Sequence, residues 1–199
     1  MGESKKETFM ANIWKNNPVI VQILGICSAL AVTNNMTNTL IMGIGLTFAT
    51  GFSSLTISAL RNYIPKNVRM MVQVLIIATY VIILDIVLKV YLPSISKALG
   101  PYVGLIITNC IIMGRAEAYA QSHGPALSFI DGISAGIGYS LILLLIAFIR
   151  ELLGFGSIFG MRILPDSFTP WVIMITAPSA FFIIGTIIWI ARSPLVKKK

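Results

Sequence analysis

Charge is scarce in this chain. Only 11% of its 199 residues are Asp, Glu, Lys or Arg, seven of them acidic, against a hydrophobic content of 56%. Mean hydropathy is +0.87. Soluble domains carry about 25% charged residues, so a water-covered globular domain is excluded and the chain reads as an integral membrane protein. Cysteine is scarcer still: Cys27 and Cys110 allow at most one disulfide, and both lie in apolar segments rather than exposed loops, a poor setting for a structural bridge. The single histidine, His123, falls in a loop. There is no Gly-rich strand–helix fingerprint, P-loop, Ser–His–Asp grouping or C-x-x-C. A nucleotide or flavin site within the chain is therefore not expected, and no catalytic residue is assigned. Low-complexity tracts and long linkers are also missing, so residues 1–199 read as one polytopic membrane domain. The first 17 residues are polar, with no A-x-A pattern after the first apolar run, so no removable signal peptide is expected. The sixth position is not Ser or Thr, so the myristoylation pattern is absent as well.

What is present is hydrophobic sequence in six segments: Pro18–Thr33, Leu40–Leu60, Val68–Leu92, Pro101–Met113, Leu127–Leu153 and Pro170–Arg192. A helix needs about 20 residues to cross a hydrocarbon core. Four segments reach that length; the first has 16 residues and the fourth 13. The net charge of +8 does not point to nucleic acid, because the basic residues sit in short loops and at the ends. With six spans, 11 of the 15 Lys and Arg fall on the side of the two termini and 4 on the other. That asymmetry places both termini in the cytoplasm.

The two short segments match. PVIVQILGIC (Pro18–Cys27) and PYVGLIITNC (Pro101–Cys110) each open on proline and reach a cysteine nine residues later. With three segments in each half, the second half runs inverted relative to the first. The expected fold is all-α: six transmembrane segments as two inverted three-helix repeats, about 18–92 and 101–192, with segments 1 and 4 short or broken half-helices. Short, matched segments in corresponding halves are the sequence signature of a site near the membrane midplane. Gly43, Gly45, Thr47, Thr50 and Gly51 on the second segment, and Gly132, Gly136 and Gly138 on the fifth, are read as helix-packing faces.

A lone cysteine in an apolar helix is most often a small inert hydrophobe. The matched placement of Cys27 and Cys110, next to Gly25 and Asn109, argues instead for metal ligation, since buried thiolates need a positive companion. Iron–sulfur clusters and structural zinc take four such ligands or thiolate–imidazole mixtures. This chain supplies at most half, and a second subunit must supply the rest. Asp85 and Asp131 lie inside apolar segments and are cation-pathway candidates. Asp85 has Lys89 at i+4 as a pairing alternative. Asp131, near the start of the fifth segment and without a local partner, reads either as a cation-attracting carboxylate or as a helix cap. Arg115/Glu117 and Arg150/Glu151 read as interfacial anchors or subunit salt bridges.

LGICSALAVT (Leu24–Thr33), SALRNYIP (Ser58–Pro65), GLIITNCIIMGRAEAYA (Gly104–Ala120), IDGISAGIGYS (Ile130–Ser140), IRELLGFGSIFG (Ile149–Gly160) and APSAFF (Ala177–Phe182) resemble the NqrD/RnfE family over nearly the whole chain. These are membrane subunits of the sodium-translocating NADH:quinone oxidoreductase and of the Rnf ferredoxin:NAD complex. The resemblance implies pseudo-twofold pairing with a homologous subunit of the NqrE/RnfA type within a six-subunit inner-membrane complex. It implies a [2Fe–2S] cluster between the two, held by two cysteines from each, here Cys27 and Cys110. Electrons would cross to flavins on the far side, with FAD, FMN and riboflavin only on other subunits, and sodium movement would be coupled to that transfer. Ser28, IDG…GYS and RELLGFG resemble the Nqr branch; the short MRILPDSFTPW stretch keeps Rnf open. A cluster-free secondary transporter and a passive scaffold are the alternatives from other classes.

Overall fold

The computed structural model describes residues 17–65, 67–91, 100, 102–158, 161–162 and 172–196. They are almost entirely helical. A turn at 18–22 leads into a seven-residue helix α1 (Ile26–Val32), then α2 (Met36–Leu60) and α3 (Arg69–Tyr91). A helical stretch at 102–107 is followed by α4 (Cys110–Arg115), which continues as a single π-helical turn, Ala116–Ala120. Helix α5 (Pro125–Phe155) is 31 residues long and begins with proline in its first turn, where the missing N–H costs nothing. It ends at Gly156, whose left-handed conformation (φ 64°) lets its N–H return to the Leu152 carbonyl. A two-stranded antiparallel pair, β1 (Ser157–Ile158) and β2 (Met161–Arg162), follows. The described chain closes with one turn, α6 (Val172–Ile175), and α7 (Ala177–Val196).

Among the described residues, α2, α3 and α5 are long and apolar enough to cross a membrane, and Pro178–Ala191 is a shorter apolar stretch. The first and fourth segments are broken. The third differs from the sequence-based boundaries by one residue at each end and the second begins four residues earlier, at Met36, whereas the sixth is interrupted at Thr176 and its long helix begins only at Ala177. Residues 92–99 and 163–171, including the ends of the expected third and sixth segments, lie outside the described residues.

The central pair is α2 against α5, running antiparallel along a seam of small residues. A methyl group added at Gly43 would meet Ser140 Oγ at 2.7 Å. One at Gly136 would meet Thr47 Cα at 2.7 Å, and one at Gly132 the Thr50 carbonyl oxygen at 2.8 Å. Gly43, Thr47 and Gly51 on one helix, and Gly132, Gly136 and Ser140 on the other, thus repeat every four residues and bring the backbones into contact. That is how helices associate in lipid, where no water drives them together. Gly45 faces α3 instead, with Leu84 as its neighbour. Helix α3 buries only Gln73, Ile77 and Val81 and exposes Leu75, Ile82, Ile83, Ile86, Val87 and Val90. A helix apolar on all sides with so little buried is built for lipid or for another subunit.

Candidate functional site

Two chain breaks meet in the interior, and each delivers a cysteine. Ahead of the first, Asn17 is buried; its Oδ1 accepts the N–H of Val19 at 3.0 Å, and its Nδ2 donates to the Gly138 carbonyl at 3.4 Å. The chain then turns through two left-handed residues, Ile23 (φ 57°) and Gly25 (φ 84°). For β-branched Ile23 that region is costly; glycine adopts it freely. Helix α1 starts immediately afterwards, with Cys27 in its first turn. At the second break, helical residues 102–107 stop at Thr108, and Asn109 takes an extended conformation (φ −66°, ψ 122°). Its side-chain oxygen accepts the Ile111 N–H at 3.0 Å and so caps the new helix, α4, whose first residue is Cys110.

The breaks are cross-linked. The Gly25 N–H donates to Cys110 Sγ at 2.8 Å, and the Cys27 thiol is close enough to act electrostatically on Cys110. Cys27 is exposed and Cys110 half-buried. Behind them lies a buried polar group. Asn109 Nδ2 donates to Ser28 Oγ at 3.1 Å, and Ser28 Oγ is hydrogen-bonded to the Tyr139 hydroxyl. Both hydroxyls reach the Gly25 carbonyl, Ser28 at 3.1 Å and Tyr139 at 3.3 Å. Ser28, Asn109 and Tyr139 are at most 1% exposed, and Ile111 and Ile112 beside them are fully buried. Whichever hydroxyl donates to the other, one proton remains for the Gly25 carbonyl.

This donor set fits half of a four-thiolate centre. Two sulfurs converge, one receives a backbone N–H that suits a negatively charged sulfur, and the other opens outward, where ligands from another chain have room. Among the described residues no group of three or more His, Cys, Asp and Glu is assembled, so a complete protein-only site is not built within them.

The acids are paired. Asp85 accepts from Lys89 at 2.6 Å, the i+4 alternative. Asp131 is 1% exposed and is gripped by Arg115, whose Nε donates to Oδ2 at 2.9 Å and whose Nη2 bonds Oδ1. Two expectations change here. Asp131 has a partner after all, delivered from 16 residues away by the turn before α5. It also caps nothing, because α5 begins at Pro125 with Gly124 as its cap. Arg150 and Glu151 are likewise not interfacial anchors. Arg150 is 2% exposed and donates to Thr33 Oγ1 at 2.6 Å, Met174 O at 3.2 Å, Ile175 O at 3.0 Å and Thr176 O at 3.1 Å. It satisfies carbonyls left open where α6 ends. Glu151, 3% exposed, accepts the Met36 N–H at 2.7 Å, at the N-terminus of α2. Glu117 is the one of these four that stays partly exposed, bonded by Arg69 and by Gln73 Nε2 at 3.0 Å.

Sequence reasoning passed over Tyr139, Ser28 and Asn109 as a unit. The available signal was a tyrosine, a residue with a polar tip, in the middle of a glycine-rich apolar helix.

An apolar helical bundle with two interior breaks, each bearing a cysteine, defines an integral membrane protein. The family model described as "Rnf-Nqr subunit, membrane protein" matches residues 5–188, and the chain belongs to that family. It is 51% identical over 193 residues to the D-type subunit of the Na(+)-translocating NADH-quinone reductase of Pseudomonas paraeruginosa, covering 94% of this chain and 86% of the relative. The protein of the same name from Pseudoalteromonas translucida is 51% identical over 193 residues, 94% of this chain and 92% of its own. That from Yersinia pestis is 50% identical over 200 residues, 97% and 96% respectively.

Proposed function

We propose that this chain is a membrane subunit of a sodium-translocating NADH:quinone oxidoreductase, and that Cys27 and Cys110 supply half the ligands of a [2Fe–2S] cluster shared with a homologous subunit. The observation that carries the reading is the meeting of the only two cysteines at two cross-linked chain breaks, with Cys27 exposed. A [2Fe–2S] group bound there would carry single electrons and divide a hydrocarbon core of roughly 30 Å into two shorter transfers. The chain's own part is to present two sulfurs at fixed positions, offer Cys110 a backbone donor, and keep water away with Ile111 and Ile112. Mid-membrane placement is supported by Tyr139, which touches the first break and lies close to the middle of the 31-residue α5.

The wider arrangement follows as part of the same proposal. Six spans form two inverted repeats, 18–92 and 101–192, within one membrane domain in the bacterial inner membrane, with both termini cytoplasmic. The homologous partner, of the NqrE/RnfA type, brings two further cysteines, and the flavins reside on other subunits of a six-subunit complex. Asp85 and Asp131 are the cation-pathway residues. The pairing separates their roles: a sodium ion reaching Asp85 displaces Lys89, which is 63% exposed, whereas one reaching Asp131 must displace a buried guanidinium. Asp85 is the easier station.

The test is iron content and electron paramagnetic resonance on the complex co-purified with its partner subunits. Cys27→Ala and Cys110→Ala each abolish the cluster signal and quinone-directed electron transfer. Unchanged iron and turnover in either variant sinks the reading. A cluster-free transporter or a scaffold gives that unchanged result, and a neighbouring gene for a subunit with ferredoxin-type cysteine clusters would move the assignment to the Rnf complex.

A further inference from the structure

We propose that Tyr139, with Ser28 and Asn109, is the positioning residue of the two-cysteine site: its hydroxyl fixes the left-handed Gly25 so that the Gly25 N–H stays on Cys110 Sγ. The electrochemical consequence rests on the [2Fe–2S] reading above; the positioning is a property of this chain alone.

Gly25 is held from both sides of its α-carbon. Its N–H points to Cys110 Sγ at 2.8 Å, and its carbonyl lies within reach of both hydroxyls of the Tyr139–Ser28 pair, one of which donates to it while the other donates within the pair. Among the described residues its carbonyl otherwise accepts only the Ala29 N–H at 3.2 Å, the first bond of α1; a residue at φ 84° with no side chain has a permissive backbone, and a swing of its peptide withdraws the N–H from the sulfur. The Tyr139 ring also fills the space a Gly25 side chain would take, since an added methyl group would lie 2.6 Å from Tyr139 Cε2 and 2.7 Å from Ile111 Cδ1. Tyr139 is itself tightly enclosed. It is fully buried, and its neighbours Gly136 and Ser140 are locked in the α2 seam against Thr47 and Gly43. The network therefore transfers the rigidity of the longest helix to two otherwise irregular breaks, as supporting shells of ligand sites do. Asn109 completes the link, because one side chain caps α4 and holds Ser28 of α1.

An N–H donated to a ligating sulfur favours the more negative, reduced state, so hydrogen bonds to sulfur raise a cluster's potential. Tyr139→Phe keeps the ring packing and removes only the hydroxyl. In the purified intact complex this variant should retain iron and shift the cluster's midpoint potential downward, with electron affinity lower on the order of tenfold, about 59 mV for one electron. Iron retained with an unchanged potential and resonance spectrum overturns the proposal. If the variant loses iron, maleimide labelling of Cys110 in the iron-stripped complex decides. Faster labelling than in the parent, shared by Ser28→Ala, supports the positioning role, and an unchanged rate in both overturns it. Cys27→Ala and Cys110→Ala serve as the separate control: iron retained in these defeats the cluster reading, while the labelling result still judges the Gly25–Cys110 geometry.

Discussion

Replacing Asp131 with Asn removes one half of an ion pair whose side chains are 8% and 1% exposed for Arg115 and Asp131. The guanidinium then faces an uncharged amide in a site with little water. Breaking a buried pair by deleting one partner costs about 3–5 kcal/mol, mostly the penalty of the stranded charge. For a chain of this size, 1 kcal/mol shifts the melting temperature by about 2–4 °C, so Asp131→Asn is expected to lower it on the order of 10 °C. The assay is thermal unfolding of the detergent-solubilised complex, followed by the loss of this subunit from the assembled band. Removing both charges, Arg115→Met with Asp131→Leu, is expected to recover most of the loss, because apolar replacement of a buried pair is often neutral or stabilising. If Asp131→Asn melts within about 3 °C of the parent, the buried pair does not contribute as described and the reasoning fails. The comparison also cleans the transport question, since a weaker apparent sodium affinity in Asp131→Asn has meaning only when measured beside the double variant at matched folded fractions.

For Asp85→Asn, a weaker apparent sodium affinity at full iron content is the outcome the cation proposal requires, and an unchanged affinity would overturn it. Gly25→Ala combines a left-handed backbone with a methyl group 2.6 Å from Tyr139, and strain plus overpacking of about 2–4 kcal/mol should appear as lost iron before lost assembly. Gly132→Leu drives a side chain into the Thr50 carbonyl and should separate α2 from α5, read as loss of the folded subunit on size exclusion; normal elution would contradict the seam. Arg150→Leu takes its donor from the Ile175 carbonyl, while Met174 and Thr176 keep Ser179 as a donor; one unsatisfied group costs about 1–3 kcal/mol, and the variant should raise protease sensitivity between α5 and α7.

Class and family were legible in the order of residues alone. Hydropathy and charge are sums over residues, so they need no contact to be read, and the long apolar runs became α2, α3 and α5 with ends shifted by a few residues. The Pro–Cys repeat was equally legible because it is a spacing, and both segments are broken where their length falls short. Small residues marked α2 and α5 as helices with packing faces, but only the structure set those faces against each other. The polar interior, by contrast, took shape only through folding. Arg115 and Asp131, or Arg150 and the end of α6, are set against each other by turns whose geometry no local pattern encodes, and a buried charge looks the same in sequence as an interfacial one. The Tyr139–Ser28–Asn109–Gly25 group joins residues up to 114 positions apart. Only Tyr139 stands out alone, and nothing in sequence ties it to the other three. What makes them a unit is that a buried hydroxyl or amide must find a partner, and in this fold the partners lie at the breaks that carry the cysteines.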